Sequence, residues 1–365
     1  MTDVFIIGGG PAGLAAAMAV RRKGLAVTVA DAGRPPIDKP CGEGLMPDSL
    51  AAAARLGIVI PPDAGRAFRG IRFLGADGSA AGAFPEGEGL GVRRTTLHPI
   101  LVAEAERAGV QLMWATPVTG LRDGAVQLGR HAMGARWVVG ADGGQSLVRQ
   151  WAGLDGVRRA SRRFGFRRHY AVAPWTDYME IHWGRGCQFY VTPVAASEVC
   201  VVLMSRDPHL RIDSALDRFP LLRERLASAS QATSERGQLA STCRLKSVAT
   251  GAVALIGDAS GTVDAITGEG LCLAFQQAAA LADAIAAGDL RRYEQAHRRL
   301  ARRPVFMADF MLTMDRWPLL QARALRAMAA RPDLFSNLLA LHIGKLGLAG
   351  FLKTGLQLGW EIATI

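Results

Sequence analysis

The sequence predicts an α/β protein: a parallel-sheet domain is interleaved with an antiparallel β-sheet domain and followed by a helical C-terminal region. Three observations carry this. Apolar runs at residues 4–7, 137–139 and 252–256, each followed by glycine, suit strands buried on both faces. Residues 164–204 contain segments with the alternation of an antiparallel sheet. From Asp289 onward, apolar residues recur at helical spacing among many arginines. With 365 residues, the chain is long enough for two or three folding units and a deep apolar interior.

Composition narrows the function classes. Half of the residues are hydrophobic and 21% are charged, which excludes a disordered chain. The net charge of +11 suits an anionic partner such as a dinucleotide, a membrane surface or nucleic acid. The five cysteines (Cys41, Cys187, Cys200, Cys243 and Cys272) are odd in number and widely spaced, which suits a reducing cytoplasm with neither a disulfide framework nor a metal site. The first 20 residues carry only Asp3 as a charge, yet they lack a basic start and contain three consecutive glycines, so they read as mature structure. His342, Lys345 and Lys353 interrupt the most apolar C-terminal region, and no membrane span is expected.

In chain order, the strand at 4–7 leads through a glycine turn into an Ala-rich helix ending near Gly24, and a second strand at 25–30 ends at Asp31. Short β segments with glycine turns follow at 66–84, then a helix at 95–109. After the antiparallel block, the strand at 252–256 precedes a loop and an Ala-rich helix through Ala287. The expected units are residues 1–65, 92–160 and 245–288 for the parallel-sheet domain, 66–91 and 161–244 for the antiparallel domain, and 289–365 for the helical region.

Gly8, Gly9, Gly10, Pro11, Ala12 and Gly13 satisfy GxGxxG after a strand and before a helix. In this Rossmann-like pattern the first glycine permits the turn, the second lets a pyrophosphate approach the backbone, and the third lets helix and strand pack closely. Asp31, 23 positions after Gly8, is placed to accept from a ribose hydroxyl. The motif indicates a dinucleotide and does not choose between FAD and NAD.

Two later segments make that choice by resemblance. Gly140, Ala141, Asp142, Gly143, Gly144, Gln145 and Ser146 with Arg149, and then Gly257, Asp258 and Ala259, resemble the GADG and GDA signatures of FAD-dependent oxidoreductases of the p-hydroxybenzoate hydroxylase and geranylgeranyl reductase-like superfamily. The resemblance implies that Asp258 binds the ribityl chain, that Asp142 and Gly143 serve FAD and a passing nicotinamide nucleotide, and that Arg94, with Arg93 as rival, approaches the cofactor. Pro40, Cys41 and Gly42 resemble the PCG segment of the reductases, which places Cys41 near the flavin ring, and Gly268, Glu269 and Gly270 follow their TGEG. The chain departs from that branch at Asp264, where proline is usual nearby, and at residues 187–193, which keep Pro193 without the reductases' Trp and Phe.

Candidate catalytic residues are Cys41, Tyr190 and His182; His182 and Tyr190, with Trp183, can line a pocket in the antiparallel sheet. Alternation puts Tyr190 on the face opposite Phe189 and Val191. The run Arg162, Arg163, Arg167, Arg168 and His169 reads as a solvated edge or as a receiver of an anionic substrate or NAD(P)H phosphates. Between Arg291 and Lys353 there are 12 Lys/Arg against 4 Asp/Glu among apolar residues, which suits packing, a lid over a greasy substrate, or peripheral contact with an anionic membrane. No stacking-aromatic module for nucleic acid occurs, and no obligate protein partner is indicated.

The expected activity is an FAD-dependent, NAD(P)H-driven monooxygenase that hydroxylates or epoxidises a hydrophobic small molecule, in the cytoplasm or peripheral at the inner membrane face. The alternatives are a geranylgeranyl-reductase-like enzyme reducing carbon–carbon double bonds of an isoprenoid, and a flavin-bearing binding protein without catalysis.

Overall fold

The computed structural model describes residues 2–364 except 77 and 123. Its central strand, Thr2–Ile7, pairs in parallel with Val27–Ala30 on one side and His131–Gly140 on the other. Gln111–Met113 and Val253–Leu255 extend the parallel sheet outward. Register decides what this sheet can do. Ile7 lies opposite both Ala30 and Gly140, and Gly140 lies opposite Leu255. The glycine turn, Asp31, the 140–146 segment and Gly257 with Asp258 therefore all leave the sheet at one carboxyl edge, where open α/β sheets bind ligands.

Helices Pro11–Arg21, Arg94–Arg107 and Gly270–Ala286 share a core with the sheet strands. The first approaches closely because Ala15, Ala16, Ala17 and Ala19 are small and buried, and Pro11 presets its first turn.

The second sheet runs in the order Ser230–Gln231, Val157–Ala171, Glu198–Ser205, Cys187–Ala195, Met179–Gly184, Gly70–Gly75 and Gly78–Ala83, with Arg236–Leu245 also on Val157–Ala171. It is antiparallel except where Met179–Gly184 pairs in parallel with Gly70–Gly75. One face packs on Ile212–Leu216 and Pro220–Leu226, and the other on the C-terminal helices. Cys187–Ala195 is accordingly buried on both faces. A third, small sheet joins Gly44–Leu45, Gly89–Gly91 and Arg66–Phe68, so the two ends of the 66–91 segment pair with each other and Gly89–Gly91 also with Gly44–Leu45, while the middle of the segment joins the second sheet.

Residues 289–364 form helices Leu290–Arg316, Pro318–Ala330, Pro332–His342 and Leu348–Thr364. Pro318 and Pro332 start their helices, and the preceding Trp317 and Arg331 take non-helical ψ, making the two corners. The helices lie on the second sheet, where Phe335 sits over Gly82 and beside Phe73. No described helix is long and apolar enough to cross a membrane.

Candidate functional site

At the carboxyl edge, the Gly9 peptide is held from two sides. Its N–H donates to Asp31 Oδ2 at 2.7 Å, and its carbonyl accepts from His98 Nε2 at 2.9 Å. Asp31 Oδ1 takes the Gly33 N–H, leaving a further lone pair on each carboxylate oxygen for a ribose hydroxyl. His98 is fully buried, which depresses its pKa and keeps the ring neutral.

The glycines here are of two kinds. A Cβ on Gly13 would lie 1.9 Å from the Gly8 carbonyl oxygen, and one on Gly8, at φ +112°, would strike Ala141. These two are required by packing. A Cβ on Gly10, Gly42, Gly143, Gly268 or Gly270 would meet nothing within 4 Å, so these backbones face open space. The helix that starts at Pro11 has no side-chain cap and no acid in its first turn, leaving its amides to an anion. Arg94 is buried and its Nε has no partner, while its backbone N–H donates to Glu43 Oε1. Free helix amides, open glycines and an orphaned guanidinium fit a flavin dinucleotide.

Asp258 accepts from Lys39 Nζ at 2.6 Å, with both side chains about 40% exposed. Such a pair contributes little stability and can yield to a hydroxyl. Gly257 donates to Gln277 Oε1 and packs so closely that its Cβ would sit 2.6 Å from that of Ala12. Asp142 behaves differently. Both its carboxylate oxygens are taken by Ser146 Oγ and the amides of Leu147 and Val148, so it shapes its loop and presents Gly143 instead of offering a free acceptor. Arg149 then ties that loop to the Asp258 segment through the Gly144 and Ala259 carbonyls. The rival Arg93 pairs with Glu198.

Pro40, Cys41 and Gly42 rest on the second sheet, where Thr192 Oγ1 donates to the Gly42 carbonyl. Cys41 is half-buried and is not among the residues lining the apolar cavity described below. The following Glu43 sits at φ +58°, held by His169 Nε2 at 2.7 Å and Arg167 Nη1 at 3.1 Å. This corrects the reading of 162–169 as a solvated edge or open anion receiver for every member of the run except Arg162, which is exposed. Arg163, Arg167, Arg168 and His169 are buried and pair with Asp264, Asp38, Asp213 and Glu43. The sequence showed cations clustered in one strand and not the acids, distant in sequence, that neutralise them. Arg162 and Arg163 do border a polar groove with Arg206 and Arg316. Glu43, His169 and Cys200 lie within metal-ligand distance of one another, but a cation there would face Arg167, and burial pushes the Cys200 thiol up.

Between the second sheet and the C-terminal helices lies an apolar cavity of about 70 Å³, lined by Tyr190, Trp183, Ile181, Phe73, Phe335 and five methionines (Met179, Met307, Met311, Met314 and Met328) among others. Methionine adapts to irregular guests. Tyr190 turns its ring into the cavity and its hydroxyl toward Gln188 Oε1 and the Ile266 carbonyl, and burial pushes its phenol up so that it stays neutral. His182 does not join it. Strand alternation carries Ile181 and Trp183 to the cavity face and His182 to the other, where it meets Glu180 at 3.1 Å.

Thr267, Gly268 and His342 form the cavity's polar end, beside the buried Glu269. Sequence reasoning missed His98, Arg303 and His342 as site residues. None stands in a local motif, and only the folded chain brings them to the glycine segments.

Fold and site together define a flavin-dinucleotide oxidoreductase. The chain belongs to the FAD binding domain family, which matches residues 1–289. It is 26% identical over 324 residues to the menaquinone reductase of Mycolicibacterium smegmatis, covering 80% of this chain and 78% of that protein. It is 31% identical over 192 residues to the 3-(3-hydroxy-phenyl)propionate/3-hydroxycinnamic acid hydroxylase of Mycobacterium avium, covering 44% and 33%. Among solved structures, the flavin-dependent brominase Bmp2 superimposes with a TM-score of 0.83 at 20% identity over 98% of both chains, a likeness of fold.

Proposed function

We propose that the protein is an NAD(P)H-driven, FAD-dependent reductase acting on carbon–carbon double bonds of a prenyl-type lipid. The observation that carries the reading is the cavity: methionines, aromatic rings and aliphatic side chains line it, and its polar groups gather at the Thr267 and His342 end. Such walls suit a hydrocarbon segment, and an ionised or polyhydroxylated substrate would lose its hydration without replacement. The menaquinone reductase match over four-fifths of the chain supports the same substrate class, since a menaquinone carries a prenyl tail. Bound FAD supplies hydride taken from NAD(P)H. The chain's own residues orient the lipid along the methionine wall and exclude water.

The departure from the reductase pattern at residues 187–193 and the shorter hydroxylase match favour a second reading, the oxygenation expected from sequence. One experiment separates them. With NADPH and a prenylated quinone under strict anaerobiosis, reduction of the tail predicts a product that stays heavier by two hydrogens after its quinone head is reoxidised. A requirement for oxygen, with labelled oxygen recovered in the product, overturns it.

We further propose that an anionic bilayer delivers the lipid. Leu352, Leu356 and Trp360 lie four residues apart on helix Leu348–Thr364 and are 55%, 76% and 71% exposed. The surrounding region carries the 12 Lys/Arg already noted, and the same helices wall the cavity.

A further inference from the structure

Four polar side chains from four separate helices or their approaches converge beside the polar end of the cavity, which His342 lines. Asp48 comes from Pro47–Arg55, Glu269 from the residue before Gly270–Ala286, Arg303 from Leu290–Arg316 and His342 from the end of Pro332–His342. Arg303 Nη2 reaches Asp48 Oδ2 at 3.2 Å and Glu269 Oε1 at 3.4 Å. Cys272 Sγ also donates to Asp48 Oδ2. Glu269 and His342 are 3% and 5% exposed. Glu269 Oε2 and His342 Nδ1 face each other at 3.8 Å, and neither atom has a hydrogen-bond partner among the described residues. Two unpartnered polar atoms aimed at one another in a dry interior are costly unless a proton lies between them.

We propose that Glu269 and His342 are a proton-delivery pair: Glu269 stores the proton, and His342, which lines the cavity, passes it to the substrate. Charge balance supports this. Among the described residues, Asp48 and Glu269 share one arginine, Arg303, so two carboxylates at this end would leave one negative charge uncompensated. Burial first, and Asp48 with it, push the Glu269 carboxyl up to about 8, against the opposing pull of Arg303. Burial pushes His342 down to about 4, so its ring is neutral and accepts at Nδ1. At neutral pH the stored proton therefore sits on Glu269 and points at an imidazole with an open acceptor.

The use of this proton rests on the alkene-reduction reading. With bound FAD supplying hydride for one new C–H bond, the electron pair of the double bond would form the second with the proton on His342 Nε2 as Nδ1 takes the proton of Glu269, so that the ring stays neutral. Glu269 regains its proton from solvent along Arg303, whose side chain is 27% exposed. Atoms and electrons balance with NAD(P)H as the only reductant.

The pair is tested first without turnover. Infrared spectra of the FAD-loaded protein should contain a protonated-carboxyl band that titrates away as pH rises through about 8, and Glu269→Gln should lack it. In anaerobic turnover, Glu269→Gln and His342→Gln should each lower kcat by at least about tenfold, with KM little changed. The wild-type rate should fall above about pH 8, and the variant's should not. Persistence of the band in Glu269→Gln, its absence from the wild type, or wild-type kcat in both variants overturns the proposal. If the band and the pH limb are found but the product contains oxygen, the pair stands and the alkene-reduction reading fails.

Discussion

His98 Nε2 lies 2.9 Å from the carbonyl oxygen of Gly9, so a histidine on the third sequence-distant element of the site fixes the central peptide of the glycine turn. Asp31 holds the opposite side of that peptide at 2.7 Å. With both anchors, the turn is set before any dinucleotide arrives. Replacing His98 with Ala leaves a buried carbonyl unsatisfied and frees the peptide to rotate, at roughly 1–3 kcal/mol. His98→Ala should weaken FAD binding by about tenfold or more in flavin fluorescence titrations. Unchanged affinity would show that Asp31 alone suffices.

The two kinds of glycine predict two kinds of failure. A side chain at Gly13 collides with the Gly8 carbonyl, so Gly13→Val should lower Tm in the apo protein. Gly10 faces open space, so Gly10→Val should fold with nearly wild-type apo Tm and yet bind no FAD. Flavin retained by a folded Gly10→Val protein would mean that the pyrophosphate lies elsewhere.

Stability should carry the mark of the buried acid. Between its ordinary value of 4.5 and its raised value of about 8, Glu269 is ionised in the unfolded chain and protonated in the folded one. Folding takes up a proton there, so stability falls as pH rises through that window. His342 acts oppositely between about 4 and 6.5, where only the unfolded chain holds the proton and stability rises with pH. The two oppose each other below 6.5, leaving a net decline from about 6.5 to 8. Thermal melts across that range should show Tm dropping in the wild type and a flatter profile in Glu269→Gln.

The bilayer proposal makes its own prediction. The protein should cosediment with vesicles containing phosphatidylglycerol more than with phosphatidylcholine alone, and salt should weaken the contact. The double substitution Leu356→Ser with Trp360→Ser should lower the bound fraction severalfold without changing the flavin spectrum. Equal binding by the variant would move the contact to another face.

The cofactor half of the site was legible because its parts are local. Strand, glycine turn, helix and Asp31 sit within one stretch, and Gly257 with Asp258 follows a recognisable strand. The rest depends on long-range pairing. Glu43 finds its partners at Arg167 and His169, and Glu269 at Arg303 and His342, distances along the chain that no periodicity reveals. Gly44–Leu45 and Gly89–Gly91 are too short to show alternation, so their sheet was invisible. His182 illustrates a finer limit. Alternation fixes which residues share a face, and only the packed helices decide which face holds the cavity.

The match to the FAD binding domain family ends at residue 289, yet 11 of the 20 residues lining the cavity come after it. The cavity is thus built from both sides of that boundary, with the family-matched stretch supplying one wall and the last four helices the other. Drift in the last four helices can reshape the chamber, lengthen it or change its chemical taste while the redox frame stays intact.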